Sequence, residues 1–112
     1  MRPDDVIRIR HMIEAAETAQ SFIVGRQRAD LDSDRMLLFA LARAVEIIGE
    51  ATSNLSPEAQ ANAPLVPWRS IIGMRNRMIH AYFSVDPDIL WKTVRDEIPK
   101  LLSQLKALPL NG

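Results

Sequence analysis

The chain has 112 residues, 47% of them hydrophobic and 25% charged, a balance that suits one folded domain with a real core and excludes a disordered chain. Its 14 basic and 14 acidic residues cancel to a net charge of zero, which argues against a surface made to coat polyanions in general. There is no cysteine, so disulfide frameworks and thiolate metal sites are excluded, and a reducing compartment is a natural setting.

Helical periodicity runs along the chain and strand alternation is nowhere convincing. The start, MRPDDVIRIR, carries acids where a secretory leader needs a basic start and an apolar run. No apolar stretch approaches the roughly 20 residues that cross a bilayer, so a cytoplasmic protein is expected. A first helix is predicted from Asp4 to about Val24, with Val6, Ile9, Ile13, Ala16, Gln20 and Ile23 on one face. Asp4 and Asp5 sit at its positive end and Gly25 is placed to stop it. After the polar connection RQRADLD, Ser33 or Asp32 is the expected cap of a second helix running to about Leu55. Its stripe is Leu37, Leu41, Ala44, Ile48, Ala51 and Leu55. Met36, Leu38, Phe39, Val45 and Ile47 carry the apolar surface further around the cylinder. A helix covered on two sides needs that breadth, so a homodimer is expected, with a central helix in a monomeric bundle as the plainer alternative.

Ser56-Pro57-Glu58 reads as a capped start of a short helix through Ala61. The link NAPLVP is held extended by its prolines, and Pro67 then opens a third main helix from Trp68 to His80 or Tyr82. Asp86-Pro87 is another cap-and-proline start, and the last helix carries Leu90, Val94, Ile98, Leu101, Leu105 and Leu108. Pro99 falls inside it, which predicts a kink and a lost hydrogen bond to Arg95. The fold class is therefore all-α: an up-and-down four-helix bundle with one additional short helix, in one domain spanning residues 1–112.

The stretch Arg75–Tyr82, RNRMIHAY, places two arginines, an asparagine, a histidine and the chain's single tyrosine among residues suited to a buried helix. No carboxylate occurs between Glu58 and Asp86, while Arg69, Arg75 and Arg77 all fall there. On a helix, at about 100° per residue, Asn76 and His80 share a face and Arg77 lies beside them; Arg75 reaches the imidazole only by its length. His80 then stands at a helix end, where the dipole favours imidazolium. These residue types suit RNA cleavage by internal transfer. A histidine moves the 2′-hydroxyl proton or protonates the leaving oxygen, and an arginine fork steadies the charge growing on the phosphoryl oxygens. The scheme requires no metal, and His11 and His80 are too far apart in sequence to suggest a ligand set. One histidine per chain is thin for two proton transfers, and a two-fold dimer supplies the second. The competing reading is purely mechanical: Arg75 or Arg77 pairs with Glu46 or Glu50, one turn apart on the second helix. His11 reads as incidental, Trp68 and Trp91 as core or interface anchors, and the five methionines as packing.

Arg75, four residues, His80, one residue and Tyr82 form an R-x4-H-x-Y pattern that resembles the HepT-like toxins of the HEPN superfamily of helical ribonucleases. The resemblance extends through RAVEIIGEA (43–51), Pro67-Trp68, GMRNRMIHAYFSVD (73–86) and LWKTVRDEIPKL (90–101). It implies a homodimeric, metal-independent endoribonuclease toxin whose paired motifs meet at a cleft and cut tRNA or mRNA. Arg75 and His80 are then the catalytic pair, Asn76 and Arg77 supporting phosphate contacts, and Glu46 or Glu50 a supporting polar residue from the second helix. The resemblance further implies a partner, a small MntA-like nucleotidyltransferase antitoxin that transfers adenylate to Tyr82. No cofactor belongs to the chain itself, ATP and magnesium being the partner's. A non-catalytic helical module that binds a nucleotide or the transferase is the alternative from a different functional class.

Overall fold

The computed structural model describes residues 1–81 and 84–110, with backbone alone at 79–81. Helix α1 (Pro3–Phe22) opens with proline and two acids in its first turn. It unwinds through Ile23 to Gly25, whose φ of 72° is the left-handed geometry that glycine adopts without strain. Its buried face is rotated from the expected one. Ile9 and Ala16 lie at its centre, but Met12, Ala15 and Ala19 complete it, leaving Val6, Ile13, Gln20 and Ile23 half-buried.

The rotation carries Asp5 inward, to 2% exposure. Its carboxylate accepts from the Ser56 backbone N–H (2.9 Å) and from the Ser56 hydroxyl (2.7 Å). That hydroxyl in turn accepts from Ala59 N–H and so caps α4 (Pro57–Ala61). One carboxylate thus ties the start of the chain to a helix cap 51 residues away. The Ser56 N–H, then its hydroxyl, hold the Asp5 carboxyl below its ordinary value of 3.8 against the opposing effect of burial, with Arg2 and Arg8 adding to the lowering. Because the folded value is depressed, this contribution is complete above about pH 3.8 and is lost as pH falls through the folded value. Asp5→Ala is expected to cost about 1–3 kcal/mol at pH 7, because it leaves the half-buried Ser56 N–H without its acceptor, and to flatten stability against pH in the acid range. Urea unfolding of both chains at pH 7 and pH 3 measures each effect.

The polar connection contains a second short helix, α2 (Asp30–Ser33), that periodicity did not predict. The cap of α3 (Arg35–Ser53) is Asp34 rather than Ser33 or Asp32, accepting from Leu37 N–H at 3.0 Å. All six residues of the expected α3 stripe are buried. Of the wider apolar set, Val45 is buried, Leu38 and Ile47 are half-buried, and Met36 and Phe39 stand 83% and 51% exposed. Three of the five methionines, Met12, Met74 and Met78, do pack in the core, while Met1 and Met36 do not.

Helix α5 (Trp68–Met78) starts as expected after Pro67, its Trp68 ring buried with Nε1 donating to the Gln60 and Ala63 carbonyls. It stops at Met78. Ile79–Ala81 forms strand β1, paired antiparallel with β2 (Ser84–Val85) with Ile79 opposite Val85. The Asp86 N–H donates to the Met78 carbonyl at 2.8 Å and closes the ribbon. Asp86 then caps α6 (Pro87–Lys92) by accepting from Asp88 and Ile89 N–H. The break expected at Pro99 takes the form of a π-helical turn over Thr93–Glu97, with Ile98 N–H donating to the Thr93 carbonyl, followed by α7 (Ile98–Lys106). Proline lacks the N–H that an α-helix needs and its ring crowds the carbonyl four residues back. Widening the preceding turn sets Pro99 in the first turn of a new helix, where neither matters.

Helix α3 packs between α1 and α5, and α1 also meets α7, around a single buried cluster drawn from every one of these helices. The fold is mostly helical, as expected. It departs from the expectation in having two short helices among the described residues and a small two-stranded ribbon between α5 and α6.

Candidate active site

The apolar face of α5, Ile71, Met74 and Met78, is buried against the core, which leaves the other face of its last turns to solvent. Arg75, Asn76 and Arg77 are all exposed, spaced about 100° apart around that open side. Among the described residues no hydrogen bond or ion pair engages Arg75 or Asn76. Arg77 reaches forward to the π turn, its Nη2 lying 3.5 Å from Oε1 of Glu97. The main chain carries on from Met78 into β1, so His80 belongs to the ribbon and not to the helix. The helical placement of His80 one turn from Asn76, and its seat at a helix end, are therefore corrected: the pairing of Ile79 with Val85 ends the helix two residues earlier. The His80 side chain and Tyr82 lie outside the described residues.

The carboxylates of α3 are engaged elsewhere. Nη1 of Arg43 sits 3.5 Å from Oε2 of Glu46 and 3.7 Å from Oε1 of Glu50. The mechanical reading required Arg75 or Arg77 to hold those two groups. Among the described residues neither does, since the nearest helical neighbour, Arg43, takes both and Arg77 takes Glu97. Glu46 is the more enclosed of the pair, its side chain 29% exposed against 61% for Glu50.

Beside Arg77 lies a cleft of about 320 Å³ lined by Arg77, Ile89, Lys92, Thr93 and Glu97. Sequence reasoning did not single out Lys92, Thr93 or Glu97. The absence of carboxylates between 58 and 86 was the available signal, for it obliges any partner of Arg77 to come from another segment. A second groove, of about 480 Å³, runs between α1 and α3, with Phe22, Ala40 and Ile47 among its walls. His11 lines it from the exposed side of α1. Among the described residues no group of three or more histidine, aspartate or glutamate side chains is arranged to hold a metal ion. None of the described helices is long and apolar enough to cross a membrane.

The structure thus presents a helical fold whose arginine-rich, solvent-facing helix end runs on into a ribbon that carries His80. The model of the ribonuclease HepT-like family matches residues 12–108, and the chain belongs to that family; its enzyme class is that of a ribonuclease. A protein named probable ribonuclease HepT, from Thermococcus cleftensis, is 39% identical over 100 residues, covering 89% of this chain and 91% of that one. A protein named as a candidate RNase, from Caldanaerobacter subterraneus, is 38% identical over 100 residues, 89% of each chain. Another named in the same way, from Methanocaldococcus jannaschii, is 33% identical over 95 residues, 85% of this chain and 87% of that one. No solved structure matches.

Proposed function

We propose that the protein is an endoribonuclease toxin that cuts tRNA or mRNA by internal transfer, without a metal ion, at a cleft where two copies of the Arg75–His80 segment meet. The 2′-hydroxyl attacks the adjacent phosphorus as His80 removes its proton; the bond to the 5′-oxygen breaks, and the histidine of the second copy returns a proton to that oxygen. The products are a 2′,3′-cyclic phosphate and a free 5′-hydroxyl. Arg75 steadies the charge on the non-bridging oxygens, and Asn76 and Arg77 hold neighbouring phosphates. Glu46, the more enclosed carboxylate of α3, is the supporting polar group in this reading, with Glu50 as the alternative.

The observation that carries this reading is Arg75 itself: a guanidinium presented to solvent and, among the described residues, without a partner, on the end of a helix whose opposite face is buried. An arginine kept for fastening would be paired. Support for a two-copy assembly comes from α3, where Met36 and Phe39 stand exposed beside a continuous core-facing stripe. The partner is a small nucleotidyltransferase antitoxin of the MntA type, which adenylylates Tyr82. A bulky anion beside Arg75 and His80 occupies the cleft and repels RNA phosphates.

The test uses the full chain, first shown by intact mass to carry no adenylate. Such protein, dimeric by light scattering, is expected to cleave tRNA or mRNA in the presence of a chelator. If it leaves both RNAs whole, or proves monomeric, the reading falls and the non-catalytic module takes its place. Co-expression with the transferase is expected to raise the mass by adenylate increments and to silence the cleavage.

A further inference from the structure

We infer that the cleft between α5 and the π turn is a second phosphate site on the RNA strand, formed by Arg77 and Lys92 and masked in the free protein by Glu97. The inference rests on the ribonuclease reading and extends it away from the scissile phosphate. The cleft brings together two cations from different elements, Arg77 in the last turn of α5 and Lys92 in the last turn of α6. Ile89 adds an apolar side chain to the lining, and Thr93 lines it with its hydroxyl donating to the Ile89 carbonyl at 2.8 Å. A volume of about 320 Å³ is at the lower end of the range for small-ligand sites and suits one nucleotide rather than a folded partner.

Glu97 is the third charge in the cleft. Its carboxylate lies 3.5 Å from Arg77, with both side chains well exposed, so the pair is weakly held and readily exchanged for a phosphate. Lys92 is exposed and makes no hydrogen bond or ion pair among the described residues; it acts on Asp96 only through space. The π turn creates this arrangement. It sets Glu97 against Arg77 and turns the end of α6 toward the same space, at the place where Pro99 forces the helix to change register. Arg75, two residues before Arg77 and so about 160° around α5 from it, lies at the other edge of the exposed side, with Asn76 between the two.

The experiment measures binding of a fluorescein-labelled 2′-O-methyl oligoribonucleotide, which internal transfer cannot cut, by anisotropy over a range of salt concentrations. Lys92→Ala is expected to weaken binding and to reduce the slope of log K against log salt by about 0.7, the loss of one phosphate contact on a single strand. Lys92→Arg restores both. Glu97→Gln is expected to tighten binding by about two- to five-fold, the equivalent of one surface pair, and to have no such effect when Arg77 is alanine. If Lys92→Ala and Glu97→Gln bind as the parent does while the parent cleaves RNA, the second site is overturned and the ribonuclease reading stands. If the parent neither binds nor cleaves RNA, both fall together.

Discussion

His80→Ala is expected to abolish RNA cleavage and Arg75→Ala to slow it by about 10²–10³-fold, with both chains folding as the parent does. The size of the first effect follows from the proposed chemistry. A positioned proton-transfer group is worth about 10²–10⁴-fold, and in a two-fold site one substitution removes both the base and the acid. The second follows from charge. The phosphoryl oxygens gain charge as the 2′-oxygen adds, and losing one donor to a developing anion costs about 10²–10³-fold. Arg75→Lys is expected to recover only part of the rate, because an ammonium keeps the charge and loses the planar fork. Stability separates this account from its rival. Arg75 is exposed and, among the described residues, unpaired, so its removal leaves the unfolding midpoint where it was. Single-turnover cleavage of a labelled RNA and urea unfolding of the same preparations decide the matter: full cleavage by His80→Ala, or a loss of several kcal/mol in Arg75→Ala, returns the motif to a fastening.

Much of the fold was legible because its information is local. The α3 stripe, the Ser56 and Asp86 caps and the prolines at 57, 67 and 87 each act within one turn of helix, and periodicity with capping chemistry locates them. Asp5 was not legible. An acid in a first turn reads as a partner for the helix dipole, and its true partner is 51 residues away. Burying it rotates α1, which is why the α1 face came out half right. The end of α5 was misjudged for a related reason. Ile71, Met74 and Met78 continue a helical step, and nothing local says that Ile79 will prefer a strand across from Val85. The backbone pairing of Ile79 with Val85, with the Asp86 N–H closing on the Met78 carbonyl, outweighs the pattern. For the candidate site, residue identities were legible and partners were not. The motif arginines stand out in sequence, but that Arg43 would take both α3 carboxylates and Glu97 would come to Arg77 is decided by tertiary packing.

Met78→Ala is the second large effect, and it asks what holds the site in place. Among the described residues the pair of Arg77 with Glu97 adds little, being exposed and worth about 1 kcal/mol at most. Met78 is fully buried, is the last residue of α5, and offers the carbonyl that anchors the ribbon. Truncating it removes buried methylenes and leaves a cavity directly beneath the step from helix to strand, a change that costs about 2–5 kcal/mol. The urea midpoint is expected to fall by that amount with an unchanged slope. Cleavage is expected to fall further than the folded fraction does, because His80 lies two residues along the same backbone and a shift of about 1 Å in a reacting group costs about 100-fold. Met78→Leu, similar in volume, keeps the loss below about 1.5 kcal/mol and restores most of the rate. A Met78→Ala chain that is destabilised but cleaves at the parental rate when folded would show that the histidine is held from the Ser84–Val85 side of the ribbon instead. That outcome would transfer the positioning role from the core of α5 to the start of α6.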